Sequence, residues 1–256
     1  MGTIDTELFD IACKRCIGMQ KGQMGIGTLG EKTIHAVLKY YYAPNEAYHE
    51  IKINQYVADI CIDGEITEIQ TRGFNTMRGK LASFLEEHDV TICYPVAHRK
   101  WISWVDMETG EITDKRKSPK TGSFYQIFPE LYKIKMFLKH PSLHFIIVLL
   151  DVEETRYLNG WSHDKKRGSS RMDGIPVTIF DELRIDTRED FAKLIPQDLA
   201  EPFTVKEFAK KAKITEHVAS PGLNILLEVG AVKRVGKKGN AYLYERVPFS
   251  HTSFNT

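Results

Sequence analysis

The chain has 256 residues, 42% apolar and 27% charged, with 35 Lys+Arg against 34 Asp+Glu and a formal net charge of +1. These proportions suit a globular protein with a sizeable core, and they exclude collagen, long coiled coil, disorder and a disulfide scaffold. The longest apolar run, Phe145 to Leu150, is strand length and far short of the ~18 residues of a membrane span. Met1 to Asp10 lacks a basic start and a long apolar stretch, so a cytoplasmic protein with no membrane partner is expected.

Residues 7–20 read as a helix with Leu8, Ile11, Ala12, Cys16 and Met19 near helical spacing. Cys13 and Cys16 form a lone Cys-x-x-Cys with no second pair to complete a zinc site. A glycine-rich stretch follows, then a helix from Glu31 to Tyr42 whose inward stripe is Glu31, Ile34, His35, Leu38, Tyr41 and Tyr42. Gly25-x-Gly27-x-x-Gly30 imitates a dinucleotide fingerprint, but that motif must follow a strand. The near-miss phosphate loop has Glu31 where its lysine belongs, and the Met1-Gly2 myristoylation pattern lacks a polybasic partner.

Strands are predicted at 49–53, 56–62 and 65–71. Asp63-Gly64 is the strongest hairpin signal in the chain. Phe74, Met77, Leu81, Phe84 and Leu85 mark a helix, and Val90 to Val96 a strand. Trp101 to Val105 and Glu111 to Thr113 read as strands about a Thr109-Gly110 turn. Lys115 to Lys120 reads as a basic loop, Ile127 to Leu138 as a helix, His144 to Val152 as a buried strand, and 159–174 as an exposed polar loop. Strands and helices interleaved in this way indicate an α/β core.

Pro196 and Pro202 suggest a boundary, with units at 1–198 and 199–256. Helices at Val205 to Lys211 and about 217–229 are followed by strands at Ala231 to Val235 and Ala241 to Val247. Helix, turn, helix, hairpin is the pattern of a winged helix-turn-helix. From Thr204 to Val247 there are nine Lys/Arg against four acids, so this unit is basic and the remainder acidic. That asymmetry suggests a face for nucleic acid, with a solvated lysine-rich surface as the alternative. His217, Ser220 and Asn224 are the outward polar residues of the second helix, the one that would enter a major groove. Lys233, Arg234, Lys237 and Lys238 lie on or beside the wing, placed for phosphates.

The hairpin fixes a register. A two-residue Asp63-Gly64 loop opposes Ile60 to Thr67 and Asp59 to Glu68, with Gln70 two positions further on the same face. A second two-residue turn at Asn54-Gln55 would bring Glu50 opposite Asp59. Like charges opposed on a sheet need compensation, and Mg²⁺ held by one or two carboxylates supplies it. Alternatively these acids face solvent. Glu31, in the first turn of an inward-facing stripe, could reach the same cluster.

Helix with Glu31, strand, strand bearing Asp59, hairpin, Glu68-Ile69-Gln70, helix, strand resembles the core of the PD-(D/E)xK nucleases, over about residues 25–100. The resemblance implies a restriction-endonuclease-like mixed sheet flanked by helices, followed here by a small winged-helix (α+β) domain. It implies Asp59 and Glu68 as metal ligands with Glu31 as a further one, Mg²⁺ as cofactor with Mn²⁺ substituting, and Gln70 orienting the attacking water; Glu50, placed by the hairpin register, would complete the set. Asp59, Glu68, Gln70 and Glu31 are thus the expected catalytic group. Gln70 stands where the family has lysine and brings no charge. Arg78 and Lys80, at the start of the next helix, are candidates for the missing cation and for DNA contact. The expected activity is metal-dependent DNA endonuclease, in restriction or defence, with a homodimer plausible for double-strand cleavage. The alternative is an inactive nuclease fold that binds DNA.

Overall fold

The computed structural model describes residues 4–21, 30–106, 109–160 and 168–248. Helix α1 (Thr6–Lys21) and helix α2 (Gly30–Tyr42) precede a meander of β1 (His49–Ile53), β2 (Tyr56–Ile62) and β3 (Glu65–Ile69). Helix α3 (Arg78–Phe84) crosses over to β4 (Val90–Asp106), which lies parallel to β3. Then come β5 (Arg116–Lys117), α4 (Phe128–Lys133), β6 (Leu143–Gly160), parallel to β4, and β7 (Gly168–Ile185), antiparallel to β6. The spatial order is β1-β2-β3-β4-β6-β7, with β5 on the edge of β4 that β3 leaves open. The molecule is therefore α/β, a large mixed sheet with helices on both faces.

Alternation along β6 shows how the core divides. Phe145, Ile147 and Leu149 belong to one hydrophobic cluster, Ile146, Val148 and Leu150 to the other. Such a run, buried on both faces, is the signature of a central strand with parallel pairing. Phe9, Ala12 and Cys16 of α1, with Ile34, Val37, Leu38 and Tyr41 of α2, cover the second face. The face of α1 differs from the expectation: Phe9 is buried and Ile11 is 57% exposed. The first face is covered by α3 and α4 and by a C-terminal unit of α5 (Val205–Ala212), α6 (Glu216–Glu228) and the hairpin β8 (Val232–Lys238) and β9 (Ala241–Arg246).

The Asp63-Gly64 turn forms as expected, with φ of 50° and 90°, the doubly left-handed pattern that suits a tight hairpin. Ile62 pairs Glu65, Cys61 pairs Ile66 and Ile60 pairs Thr67. Ile53 pairs Tyr56 across Asn54-Gln55, so this second turn also forms, Asn54 taking φ 55° in place of a glycine.

Four expectations need correction. The strands read at 90–96 and 101–105 are one strand, β4. The polar residues that broke the apolar pattern find partners on β6: His98 Nδ1 lies 3.1 Å and Arg99 Nε 3.7 Å from Asp151 Oδ1, and Lys100 Nζ lies 3.2 Å from Glu154 Oε2. The Lys115 to Lys120 loop contributes β5, which pairs with Trp101 and Ile102. Of the segment read as a polar loop, 159–160 and 168–174 belong to the β6 and β7 strands, 161–167 lying outside the described residues. The helix read at 127–138 is broken into short turns around α4.

The C-terminal unit packs directly on α4. Gly222 sits against Phe128, where an added Cβ would come within 2.4 Å of the ring. Glu228 bridges Lys135 and Lys139, and Arg188 Nη2 donates to the Val229 carbonyl at 3.1 Å. At α5, Thr204 and Glu207 form a reciprocal capping box. Gly222→Ala is expected to destabilise the protein by about 1–3 kcal/mol, the cost of overpacking a filled contact. Urea unfolding measures it, and an unchanged midpoint would mean that α6 is not seated on Phe128.

Candidate active site

Asp59 and Glu68 meet where the β2–β3 ladder gives out. Instead of a strand carbonyl, the Asp59 N–H donates to Glu68 Oε1 at 3.1 Å, and the Ile69 N–H donates to Asp59 Oδ2 at 2.8 Å. Each carboxylate thus accepts an amide from the opposite strand. The alternation of β2 also breaks here: Ala58 and Ile60, two residues apart, belong to hydrophobic clusters on opposite faces. Glu50 faces the break from β1, bracketed by the pairs Ile51 to Ala58 and His49 to Ile60, and has φ 54°. Left-handed backbone in a non-glycine strand residue costs on the order of 1–3 kcal/mol and tends to collect at functional sites.

A lysine and a histidine flank the pair. Lys80 Nζ of α3 lies 2.5 Å from Glu68 Oε2, and His35 Nε2 of α2 lies 3.0 Å from Asp59 Oδ2. Glu68 is only 3% exposed. Burial first, and then the Asp59 charge, push its carboxyl up to about 7, while Lys80 and the Asp59 amide pull the other way. Burial also opposes the charge on Asp59, but the His35 side chain, the Ile69 amide and Lys80 together hold its carboxyl below the ordinary value. Two adjacent acids with shifts of opposite sign suit acid and base chemistry at neutral pH. Both open on a cleft of about 530 Å³ lined also by Lys39, Glu50, Gln70 and Thr71.

The other expected residues are less uniformly gathered. Glu50 lines the cleft, but its carboxylate is paired with Lys39 at 2.8 Å. Gln70 lines it too, its amide turned to donate to the Arg72 carbonyl at 2.5 Å. Glu31 falls in the first turn of α2, and its side chain lies outside the described residues. Arg78 does not join the site: its guanidinium donates to the Lys133 carbonyl on α4. Lys80 is the candidate cation that reaches the acids. His35 went unassigned in the sequence because an imidazole in an apolar stripe reads as core. Its position one turn beyond Glu31 is the signal that it shares a face with an expected ligand.

Among the described residues no three His, Cys, Asp or Glu side chains converge as a metal cage. Asp59 and Glu68 are nonetheless two hard oxygen donors side by side at a cleft, a donor set that suits Mg²⁺, which takes its remaining ligands from water and phosphate. The Cys-x-x-Cys is different in kind. Burial pushes the Cys13 thiol up to about 12 and the Cys16 thiol to about 11, so both are inert neutral thiols at physiological pH.

On the C-terminal unit, Lys233, Arg234, Lys237 and Lys238 are all exposed on β8. Arg234 lies 4.1 Å and Lys237 4.7 Å from the centre of the Tyr242 ring. On α6, His217 and Ser220 are exposed and Asn224 is half-buried, while Leu223 and Leu226 are core.

A family model for a domain of unknown function, DUF8091, matches residues 32–186. The chain belongs to that family. The DUF8091 match runs from α2 to the end of β7, so it takes in His35, Asp59, Glu68 and Lys80 and stops short of the C-terminal unit. An uncharacterized protein of Treponema pallidum (strain Nichols) is 29% identical over 232 residues, covering 88% of this chain and 89% of its own. No solved structure matches.

The shift on Glu68 has a consequence for stability. Its folded carboxyl binds a proton below about 7 where the unfolded one needs about 4.5. Its contribution is therefore complete below pH 4.5 and is lost as pH rises through 7. In EDTA, the DUF8091 chain is expected to lose stability relative to its Glu68→Gln variant across that window, by on the order of 1–3 kcal/mol. Urea unfolding at stepped pH reads it. Parallel curves would show that Glu68 is already ionised at acid pH.

Proposed function

We propose that the cleft around Asp59 and Glu68 is a metal-dependent phosphodiesterase centre acting on DNA, in a restriction-endonuclease-like fold carrying a winged-helix targeting unit. The observation that carries this reading is the carboxylate pair, Glu68 buried and Asp59 half-buried, with the Lys80 ammonium 2.5 Å from Glu68. Asp59 and Glu68 are the residues that would hold Mg²⁺, or Mn²⁺ in its place. When bound, the ion supplies a Lewis acid that acidifies a water and polarises a phosphate.

The chain's own groups do the rest. His35 and the Ile69 amide fix the Asp59 carboxylate and keep it charged. Lys80 supplies the positive charge that Gln70 lacks, brought from the following helix rather than from the strand. Preorganised charge aimed at a transition state is worth several kcal/mol in a water-poor site. Gln70, bonded to the Arg72 carbonyl, shapes the chain leaving β3 and orients water at the cleft wall. Acids alone repel a polyanion, and the exposed cations of β8 supply the complementary attraction. His217, Ser220 and Asn224 then face the groove from α6.

The setting that suits such an enzyme is restriction or defence in the cytoplasm, with a homodimer where both strands are cut. One feature favours a second reading, a DNA-binding protein without catalysis: Gln70 is uncharged, and its amide is already committed to a backbone carbonyl.

Plasmid and single-stranded DNA incubated with Mg²⁺, Mn²⁺ or EDTA test the two readings. Metal-dependent cutting is expected, with Glu68→Ala and Asp59→Ala reduced at least about 100-fold, the scale of losing one transition-state contact. Lys80→Ala is expected to lose activity comparably and Arg78→Ala to retain it. Folded protein that shifts DNA on a gel without cutting it would establish the second reading. Neither cutting nor binding would refute both.

A further inference from the structure

A second cleft, of about 490 Å³, adjoins the acidic one and shares Thr71 with it. It exists because neighbouring strands differ in length. β3 ends at Ile69, opposite Cys93, while β4 continues to Asp106. Beyond Cys93, β4 is engaged again from His98, whose carbonyl accepts the Gly122 N–H, onward to the β5 pairing at Trp101 and Ile102. Between Cys93 and His98 the sheet edge is open, and the cleft occupies the gap. The chain after β5 forms its far wall. The Ser118 N–H donates to the Lys100 carbonyl at 2.8 Å, and the Gly122 N–H to the His98 carbonyl at 2.8 Å. At Gly122 a Cβ would lie 2.2 Å from the Ala97 carbonyl oxygen, so only glycine lets this wall press so closely on the strand.

The lining has one sign of charge. Arg72, Lys100, Lys120 and Arg156 contribute to it, and among the described residues no Asp or Glu lines the cleft. Glu154, buried beneath, is shared by Lys100 and Arg156, so one acid answers two of these cations. Cations gathered in a cleft beside a carboxylate pair make a trough whose charge changes sign along its length.

We infer that this trough is the path of a single polynucleotide strand, its phosphates held by Lys120, Arg72, Lys100 and Arg156 while the next phosphodiester reaches Asp59 and Glu68. The volume is that of a small-molecule pocket. It has room for the sugar-phosphate of one strand and not for two paired strands side by side. The substrate class is therefore single-stranded nucleic acid, or a strand end parted from its complement. This deepens the hydrolase proposal and depends on it for the chemistry but not for the binding.

Fluorescence anisotropy of a labelled thymidine oligonucleotide of about six nucleotides, titrated with the full chain in EDTA over a salt series, tests it. Lys120→Glu is expected to weaken binding about tenfold and to lower the salt slope by about 0.7, the loss of one single-strand phosphate contact. Lys14→Glu, an exposed substitution on α1, is expected to change neither. A duplex of equal length is expected to be affected far less by Lys120→Glu. An undiminished slope, an equal loss in Lys14→Glu, an equal loss for the duplex, or no oligonucleotide binding by the wild type would each overturn the inference. With EDTA present no cutting is required, so failure here leaves the cleavage result standing, and failure of cleavage leaves this binding result readable.

Discussion

Two carboxylates face one another at the point where β2 and β3 part, and each accepts a backbone amide from the other's strand. Much of the neighbouring architecture serves that exchange. The ladder forgoes regular hydrogen bonds there, so the amides must be satisfied by side chains, since unpaired buried polar groups are costly. The buried Glu68 and half-buried Asp59 in turn take partners from outside the sheet. Helix α2 brings His35 from one face and α3 brings Lys80 from the other. The hairpin turn, the left-handed Glu50 and the packing of both helices can all be understood as holding this exchange in place.

Charge within the long strands follows a similar logic. β4 carries His98, Arg99 and Lys100 through the sheet because Asp151 and Glu154 on β6 stand across from them. On β7, Glu182 accepts from Tyr42 at 2.7 Å and pairs with Arg184 at 2.7 Å. These groups are not spread evenly. On β4 and β6 the ion pairs fall beyond the end of β3, and it is there that the open edge of β4 becomes a cleft.

The parts of this arrangement that were legible in the sequence rest on local rules. Asp63-Gly64 specifies a turn type, and the turn type specifies a register, so Asp59 and Glu68 could be brought together from spacing alone. Gly230, with φ 82°, stops α6 where a C-terminal glycine should. What was not legible depends on partners distant in sequence. Arg99 and Lys100 read as an interruption because their acids lie about 50 residues further on. The start of β7 reads as loop because its neighbour β6, not its own alternation, makes it a strand. Lys80 and Arg78 are equivalent by composition, and only the packing of α3 against α4 sends one to Glu68 and the other to the Lys133 carbonyl.

The contact between Gly222 and Phe128 carries a geometric consequence. Phe128, Phe203, Phe208 and Leu226 belong to a single apolar cluster that also includes Phe145 and Ile147 of the central strand. The C-terminal helices are therefore not tethered beside the sheet but built into one side of it. On the proposed function, a nucleic acid gripped by α6 and the β8–β9 hairpin is presented to the carboxylate cleft at a set offset. The protein then acts as a ruler, and the distance between the place it reads and the place it cuts is fixed by the packing of the C-terminal helices on the sheet, the Gly222–Phe128 contact among them.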